Sequence, residues 1–294
     1  EAAKRALHVA QVDPGHVDLI IVGTISPEYV FPATACLVQD ALGATGAAAF
    51  DVSAGCTGFV YAMALAEQAI RAGSSQLALV IGSETLSRFV DWEDRRTCVL
   101  FGSGAELLYL PAGGARLPAS EETLAKRQHY IRMDGREVYR FAIKALAQST
   151  RQVLEKVGLE VGDVSLLIPH QANARITSAA ARALGLEPER VVETVDWCGN
   201  TSAASIPIAL CKAVEDGRVK EGDLLVLVGF GAGLTWGAVA VQWDKVPAPP
   251  PGRWRVRYLR GRYWMAAWRS RARRLWRRLR TFVSDRVQKD WRNG

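Results

Sequence analysis

Short runs of apolar residues alternate along the chain with longer stretches in which apolar positions recur every three or four residues. The runs at 18–22, 48–52, 77–81, 99–101, 165–168, 191–194, 224–228 and 238–242 read as strands. Many are apolar on both faces, as in a sheet covered by helices. The stretches at 32–42, 58–72, 136–157, 173–184 and 202–216 read as helices. This alternation predicts an α/β fold built in layers. The uncharged run 224–243 approaches the length of a membrane span. Its glycines at 229, 231, 233 and 237 divide it into two β-rich pieces, so it reads as two buried strands joined by a glycine turn.

The strands repeat. Leu19 and Leu166, and likewise Leu79 and Val226, stand 147 residues apart in matching apolar runs, while Cys56 and Asn200 stand 144 apart. Each half reads strand–helix–strand–helix–strand–strand. A pseudo-two-fold between halves 1–130 and 131–246 sets Cys56 and Asn200 at equivalent loop-to-helix positions facing each other. His170 ends the first strand of the second half and points to the same crevice, where open α/β sheets bind ligands. The halves are not equally complete: 136–157 is a long amphipathic segment, matched in the first half only by residues 1–12, and 111–130 reads as a charged loop without a strand.

Composition narrows the picture. With 294 residues, 49% of them hydrophobic, the chain suits one large or two fused domains with a sizeable core. Its five cysteines show neither CxxC pairs nor histidine spacing, which points away from a metal site and a secreted disulfide framework and toward a reducing, cytoplasmic setting. The first residues lack an initiator Met and an apolar signal core, so the chain reads as beginning partway through a domain. The net charge of +7 is unevenly held: residues 1–246 carry −6 and residues 247–294 carry +13. A proline-rich linker at 247–252 separates the two.

Three residues carry candidate chemistry. Cys56 lies in Asp51-Val-Ser-Ala-Gly-Cys-Thr-Gly-Phe59, at the first turn of a helix, where unpaired N–H groups and the helix dipole are expected to favour the thiolate. His170 lies in Pro169-His-Gln-Ala-Asn173, and Asn200 in Gly199-Asn-Thr-Ser202. A thiol nucleophile, an imidazole and a side-chain amide donor are the parts of an acyl-transfer site. Cys36, Cys98, Cys198 and Cys211 have no such context and read as structural.

These motifs, with Phe31-Pro-Ala-Thr-Ala-Cys36, Val99-Leu-Phe-Gly-Ser-Gly-Ala105, Gly199-Asn-Thr-Ser-Ala-Ala-Ser205 and Gly229-Phe-Gly-Ala-Gly-Leu-Thr-Trp-Gly237, resemble the thiolase-fold condensing enzymes. The group most similar is the β-ketoacyl-acyl-carrier-protein synthase III family, which initiates fatty-acid synthesis. The resemblance implies a layered α-β-α-β-α fold of two pseudo-symmetric halves, incomplete in the first, and a homodimer. It implies that Cys56 takes an acyl group from acyl-coenzyme A, with the N–H groups of Cys56 and Ala232 as oxyanion hole. His170 and Asn200 would then hydrogen-bond the thioester carbonyl of malonyl-acyl-carrier protein as CO2 leaves. Asn173 matches a position near the pantetheine arm, Phe230 a loop residue supporting His170 and Asn200, and Phe31 a residue reaching toward the partner's acyl pocket. Arg175 and Arg182 fall on the surface used for the acidic carrier protein. The coenzyme A thioester enters as substrate, and no separate cofactor or metal is implied.

The chain departs from the family in lacking an N-terminal stretch with the first strand, and a portion near 111–130 with a sheet strand and part of the substrate tunnel. It also carries an extra tail. Trp264, Trp268, Leu275, Trp276, Leu279, Phe282 and Val283 recur at three- and four-residue steps against an arginine face over 253–294. That pattern suits an anionic membrane surface; nucleic acid is the weaker partner, and a helix covering apolar surface is the third reading. Two functional alternatives stay open: a polyketide- or quinolone-type ketosynthase using coenzyme A thioesters directly, and a non-catalytic homologue tethered by its tail.

Overall fold

A computed structural model describes residues 1–93, 108–133 and 135–244. The expected strand at 99–101, the linker and the basic tail lie outside the described residues. In chain order the elements are α1 (Ala2–Val9), β1 (Leu19–Gly23), α2 (Thr34–Leu42), β2 (Ala48–Val52), α3 (Gly58–Arg71), β3 (Ala78–Gly82), β4 (Leu108–Tyr109) and α4 (Glu121–Ala125). They continue with β5 (Arg132–Met133), α5 (Gly135–Glu155), β6 (Leu166–Pro169), α6 (Ala174–Leu184), α7 (Val195–Cys198), α8 (Ser205–Glu215), β7 (Leu224–Gly231) and β8 (Thr235–Gln242).

Two sheets form the frame. The first has the order β2-β1-β3, with both pairs parallel. Its central strand, Leu-Ile-Ile-Val-Gly, is buried at every position, which is why the sequence there is apolar without alternation. The second has the order β6-β7-β8, with β6 parallel and β8 antiparallel to β7. The glycine-divided run is thus the predicted pair of strands, β7 and β8.

Helices make the outer and middle layers. Ala3 and Leu7 of α1 and Ala35 and Leu42 of α2 pack with Ile20 and Val22 on one face of the first sheet. Val138, Ala142 and Leu146 of α5 and Ile176, Ala180 and Leu184 of α6 cover Val226 and Val228 on the far face of the second. Between the sheets, Phe59 and Val60 of α3 meet Ile206 and Ala209 of α8 against Leu166, Ile168, Leu225 and Leu227. Each such large apolar side chain contributes roughly 1.5–3 kcal/mol by leaving water. The order is helix, sheet, helix, sheet, helix, which is the layered fold expected.

Two sequence expectations need correction. Residues 191–194 do not form a strand; only Val191 bridges Leu167. The buried Gln171 amide explains this: its Nε2 donates to the Val192 carbonyl at 2.9 Å and its Oε1 accepts the Thr194 N–H at 2.8 Å, so these groups leave the ladder and the chain turns into α7. The stretch 111–130 is not merely a loop. It contains α4, capped by the Ser120 hydroxyl on the Thr123 N–H, and β4 and β5 pair on either side of it. Arg127 reaches Asp91 through Nε at 3.2 Å, and Ile131 N–H donates to the Phe89 carbonyl at 2.9 Å, which fastens the segment to the chain after β3.

Candidate active site

The Cys56 turn is built by close backbone approach. Gly55–Thr57 forms a single 3-10 turn ahead of α3. At Gly55 the backbone is left-handed, φ +56°, and a Cβ there would lie 2.8 Å from the Ala232 nitrogen. At Gly231 a Cβ would lie 2.5 Å from the Cys56 nitrogen. Only glycine at both positions lets the β7–β8 turn sit against the thiol's turn. The Cys56 turn and the Ala232 turn are thereby brought into backbone contact. Hydroxyls clamp the contact: Thr57 donates to the Ala54 carbonyl at 2.7 Å, and Thr235 lies 3.0 Å from the same carbonyl and hydrogen-bonds Thr57.

The Cys56 thiol itself is 7% exposed. Burial pushes it up to about 12, with the Ser202 hydroxyl pulling down and the Glu84 carboxylate pushing up. Burial of the sulfur therefore opposes the thiolate that the helix start favours.

His170 follows β6 and is 1% exposed. Its Nδ1 lies 2.6 Å from Ser205 Oγ, and that oxygen also accepts the Gln171 N–H at 3.3 Å. When the Ser205 hydroxyl donates to Nδ1, the ring hydrogen sits on Nε2. Nε2 is buried without a partner. Burial lowers the imidazole to about 3, so the ring is neutral at physiological pH. Phe230 packs edge-on against it, with ring centroids 5.3 Å apart.

Asn200 has a matching character. Its Oδ1 accepts the Ser202 N–H at 2.8 Å, which fixes the amide with Nδ2 outward, and Nδ2 is buried and unpartnered. Ser202, whose hydroxyl pulls the Cys56 thiol down, holds Asn200 through its N–H and donates that hydroxyl to Glu84 at 3.1 Å. Ser205, three residues later, holds His170. The segment Gly199–Ser205 thus links His170 and Asn200.

Other expected residues fall in different surroundings. Asn173 caps α6, its Oδ1 accepting the Arg175 N–H at 2.9 Å. Arg175 and Arg182 are exposed on α6, the helix that follows His170. Phe31 is 84% exposed on the loop before α2. Sequence reasoning missed Glu84, Ser202 and Ser205. Both serines stood in a quoted motif, and Glu84 lies just past the carboxyl end of β3, where α/β sheets place ligand-facing groups.

Comparison with known proteins decides the family. The sequence profile of 3-oxoacyl-[acyl-carrier-protein] synthase III matches residues 50–121, and that of its C-terminal region matches 154–243. A β-ketoacyl-[acyl-carrier-protein] synthase III of Symbiobacterium thermophilum is 50% identical over 270 residues, covering 83% of this chain and 82% of that protein. The chain belongs to the β-ketoacyl-acyl-carrier-protein synthase III family. Among solved structures, the synthase III of Aquifex aeolicus VF5 superposes with a TM-score of 0.73 at 43% identity, covering 82% of each chain. That of Pseudomonas aeruginosa PAO1 gives 0.75 at 38%, covering 84% of this chain and 82% of its own.

Proposed function

We propose that the chain joins an acyl-coenzyme A primer to malonyl-acyl-carrier protein with loss of CO2, the step that initiates fatty-acid synthesis. The observation that carries this reading is the pair of buried, unpartnered side-chain nitrogens, His170 Nε2 and Asn200 Nδ2, joined through Ser202 and Ser205 of one segment. Neutral donors stabilise a growing enolate oxygen without protonating the attacking carbon. The many relatives named as synthase III favour this over a polyketide-type activity.

In the first stage the Cys56 sulfur attacks the acyl carbonyl, whose oxygen is held by the N–H groups of Cys56 and Ala232. The thiol proton goes to the departing coenzyme A sulfur, so the exchange is neutral overall. In the second stage the malonyl carboxylate leaves as CO2, and its electrons pass onto the thioester carbonyl held by His170 and Asn200. The resulting carbon attacks the acyl-Cys56 thioester, the Cys56 sulfur leaves as thiolate, and it takes a proton from solvent. Splitting the condensation through a covalent intermediate replaces one hard step with two easier ones. Each preorganised donor contributes about 2.7–4 kcal/mol at the transition state. Release of radiolabelled CO2 from malonyl-carrier protein tests the reading: His170→Ala and Asn200→Ala should each reduce it at least a hundredfold, roughly the value of one donor. Unchanged release would overturn their roles.

The remaining partners belong to the same proposal. Exposed Arg175 and Arg182 on a body of net charge −6 suit docking of an acidic carrier protein. A homodimer suits β2, which edges the first sheet among the described residues, with Phe50 40% and Phe31 84% exposed nearby in sequence. Asn173 would meet the pantetheine arm. Residues 253–294 would bring the enzyme to anionic lipid, which co-sedimentation with phosphatidylserine vesicles, with and without that tail, would check.

A further inference from the structure

Glu84 follows β3 where the two halves of the fold meet, and the condensation described above does not use it. Its carboxylate accepts hydrogen bonds from both halves. From the chain after β1 come the Ser26 hydroxyl at 2.5 Å, the Ile25 N–H at 3.3 Å and the Thr24 hydroxyl at 3.5 Å. From the second half comes the Ser202 hydroxyl at 3.1 Å. The backbones meet there too. A Cβ at Gly82 would lie 2.3 Å from the Ala203 carbonyl oxygen, so the end of β3 lies directly against the turn Ser202–Ala204.

Ser202 links this carboxylate to Asn200. It is fully buried and held at φ +50°, a backbone conformation that a residue with a side chain adopts only where its surroundings impose it. Two contacts do so. The hydroxyl goes to Glu84 Oε1, and the N–H goes to Asn200 Oδ1 at 2.8 Å. The second contact occupies the acceptor end of the Asn200 amide, whose Nδ2 is left buried without a partner. We propose that Glu84 is a positioning residue that aims the Asn200 amide through Ser202. The carboxylate pins the hydroxyl, the pinned residue keeps its left-handed turn, and the turn holds its N–H on Oδ1. The first half of the fold, which supplies Cys56, thereby also orients a donor of the second. The proposal rests on Asn200 serving the malonyl thioester.

The test measures two half-reactions: acylation of Cys56 by radiolabelled acetyl-coenzyme A, and release of radiolabelled CO2 from malonyl-carrier protein. Glu84→Ala should slow CO2 release about fivefold or more. Acylation should not slow, because the Glu84 charge opposes the Cys56 thiolate; a site merely loosened would lose both. Glu84→Gln keeps an oxygen for the Ser202 hydroxyl and should recover most of the loss. Pairing locates the effect. Glu84→Ala should cost less than about twofold when added to Asn200→Ala, and still about fivefold when added to His170→Ala. Acylation that falls as far as CO2 release, or an undiminished cost within Asn200→Ala, would overturn the proposal. CO2 release that falls in Asn200→Ala but holds in Glu84→Ala would overturn it alone and leave the proposed function intact. Unchanged release in Asn200→Ala would overturn both. Should Glu84→Ala not fold, Ser202→Ala, which leaves the contacts of Glu84 with the chain after β1 in place, replaces it in the CO2-release pairings with the same deciding outcomes.

Discussion

His170 Nδ1 sits 2.6 Å from the Ser205 hydroxyl, a contact that holds the ring while its Nε2 stays buried without a partner. Removing the hydroxyl leaves a buried ring nitrogen unpaired and the tautomer unpinned. Ser205→Ala should slow CO2 release by roughly five- to a hundredfold, the equivalent of about 1–3 kcal/mol. Acylation of Cys56 should be unaffected, and Ser205→Thr should restore most of the loss. Steady-state kinetics with separate measurement of the acyl-enzyme checks the split.

The buried imidazole also ties stability to acid. Unfolded, His170 takes up a proton near its ordinary 6.5; folded, it stays neutral to about 3. The unfolded chain therefore binds more protons in this interval, and stability falls as pH falls through it, by at most about 1.4 kcal/mol per pH unit from this one group. Urea titrations from pH 7 to 4 should show this slope flatten in His170→Asn. Condensation should show no acid limb near 6.5 from His170 itself.

At alkaline pH the sign reverses for Cys56. The unfolded thiol ionises near 9 while the folded one holds its proton to about 12. Stability attributable to this group is complete below 9 and declines as pH rises beyond it. Cys56→Ala should therefore lose less stability than wild type between pH 9 and 10.5.

Close approach at Gly231 makes it a sensitive backbone position. A methyl there would need 2.5 Å to the Cys56 nitrogen, which is backbone and cannot rotate away. Gly231→Ala should lose acyl-enzyme formation by more than about tenfold through displacement of the oxyanion donors. A folded protein with unchanged acylation would show that the β7–β8 turn does not shape the site.

Asp51, five residues before the nucleophile, has a structural duty. Its carboxylate accepts the N–H groups of Thr34 and Ala35 at 2.7 and 2.8 Å, capping α2 from a neighbouring strand. Asp51→Ala should cost about 0.5–2 kcal/mol of stability, as lost caps do, while labelling of Cys56 persists in the folded fraction.

The layers and the candidate trio Cys56, His170 and Asn200 were legible in the sequence for different reasons. The runs at 18–22 and 224–228 lack polar alternation because the strands are buried on both faces, a pattern that survives without coordinates. The strand at 191–194 misled because its apolar Val-Val looks like a ladder, whereas the side chain that interrupts it, Gln171, is remote in sequence. Position at a helix start pointed to Cys56 but carried no information on its burial, which raises the thiol. Desolvation depends on what packs over the sulfur, and Gly231, Ser202 and Glu84 come from three other segments. The hydroxyls of Ser202 and Ser205 were in view within their motif, but what they touch was not.

The central claim is that Cys56 carries the acyl group and that His170 and Asn200 serve only the step that follows. Incubation with radiolabelled acetyl-coenzyme A, followed by a chase with malonyl-carrier protein, tests it most directly. Wild type should acquire label at Cys56 and lose it to an acetoacetyl-carrier product, whereas His170→Ala and Asn200→Ala should keep the label through the chase. Absence of label from the folded protein, or label retained in Cys56→Ala, would contradict the account.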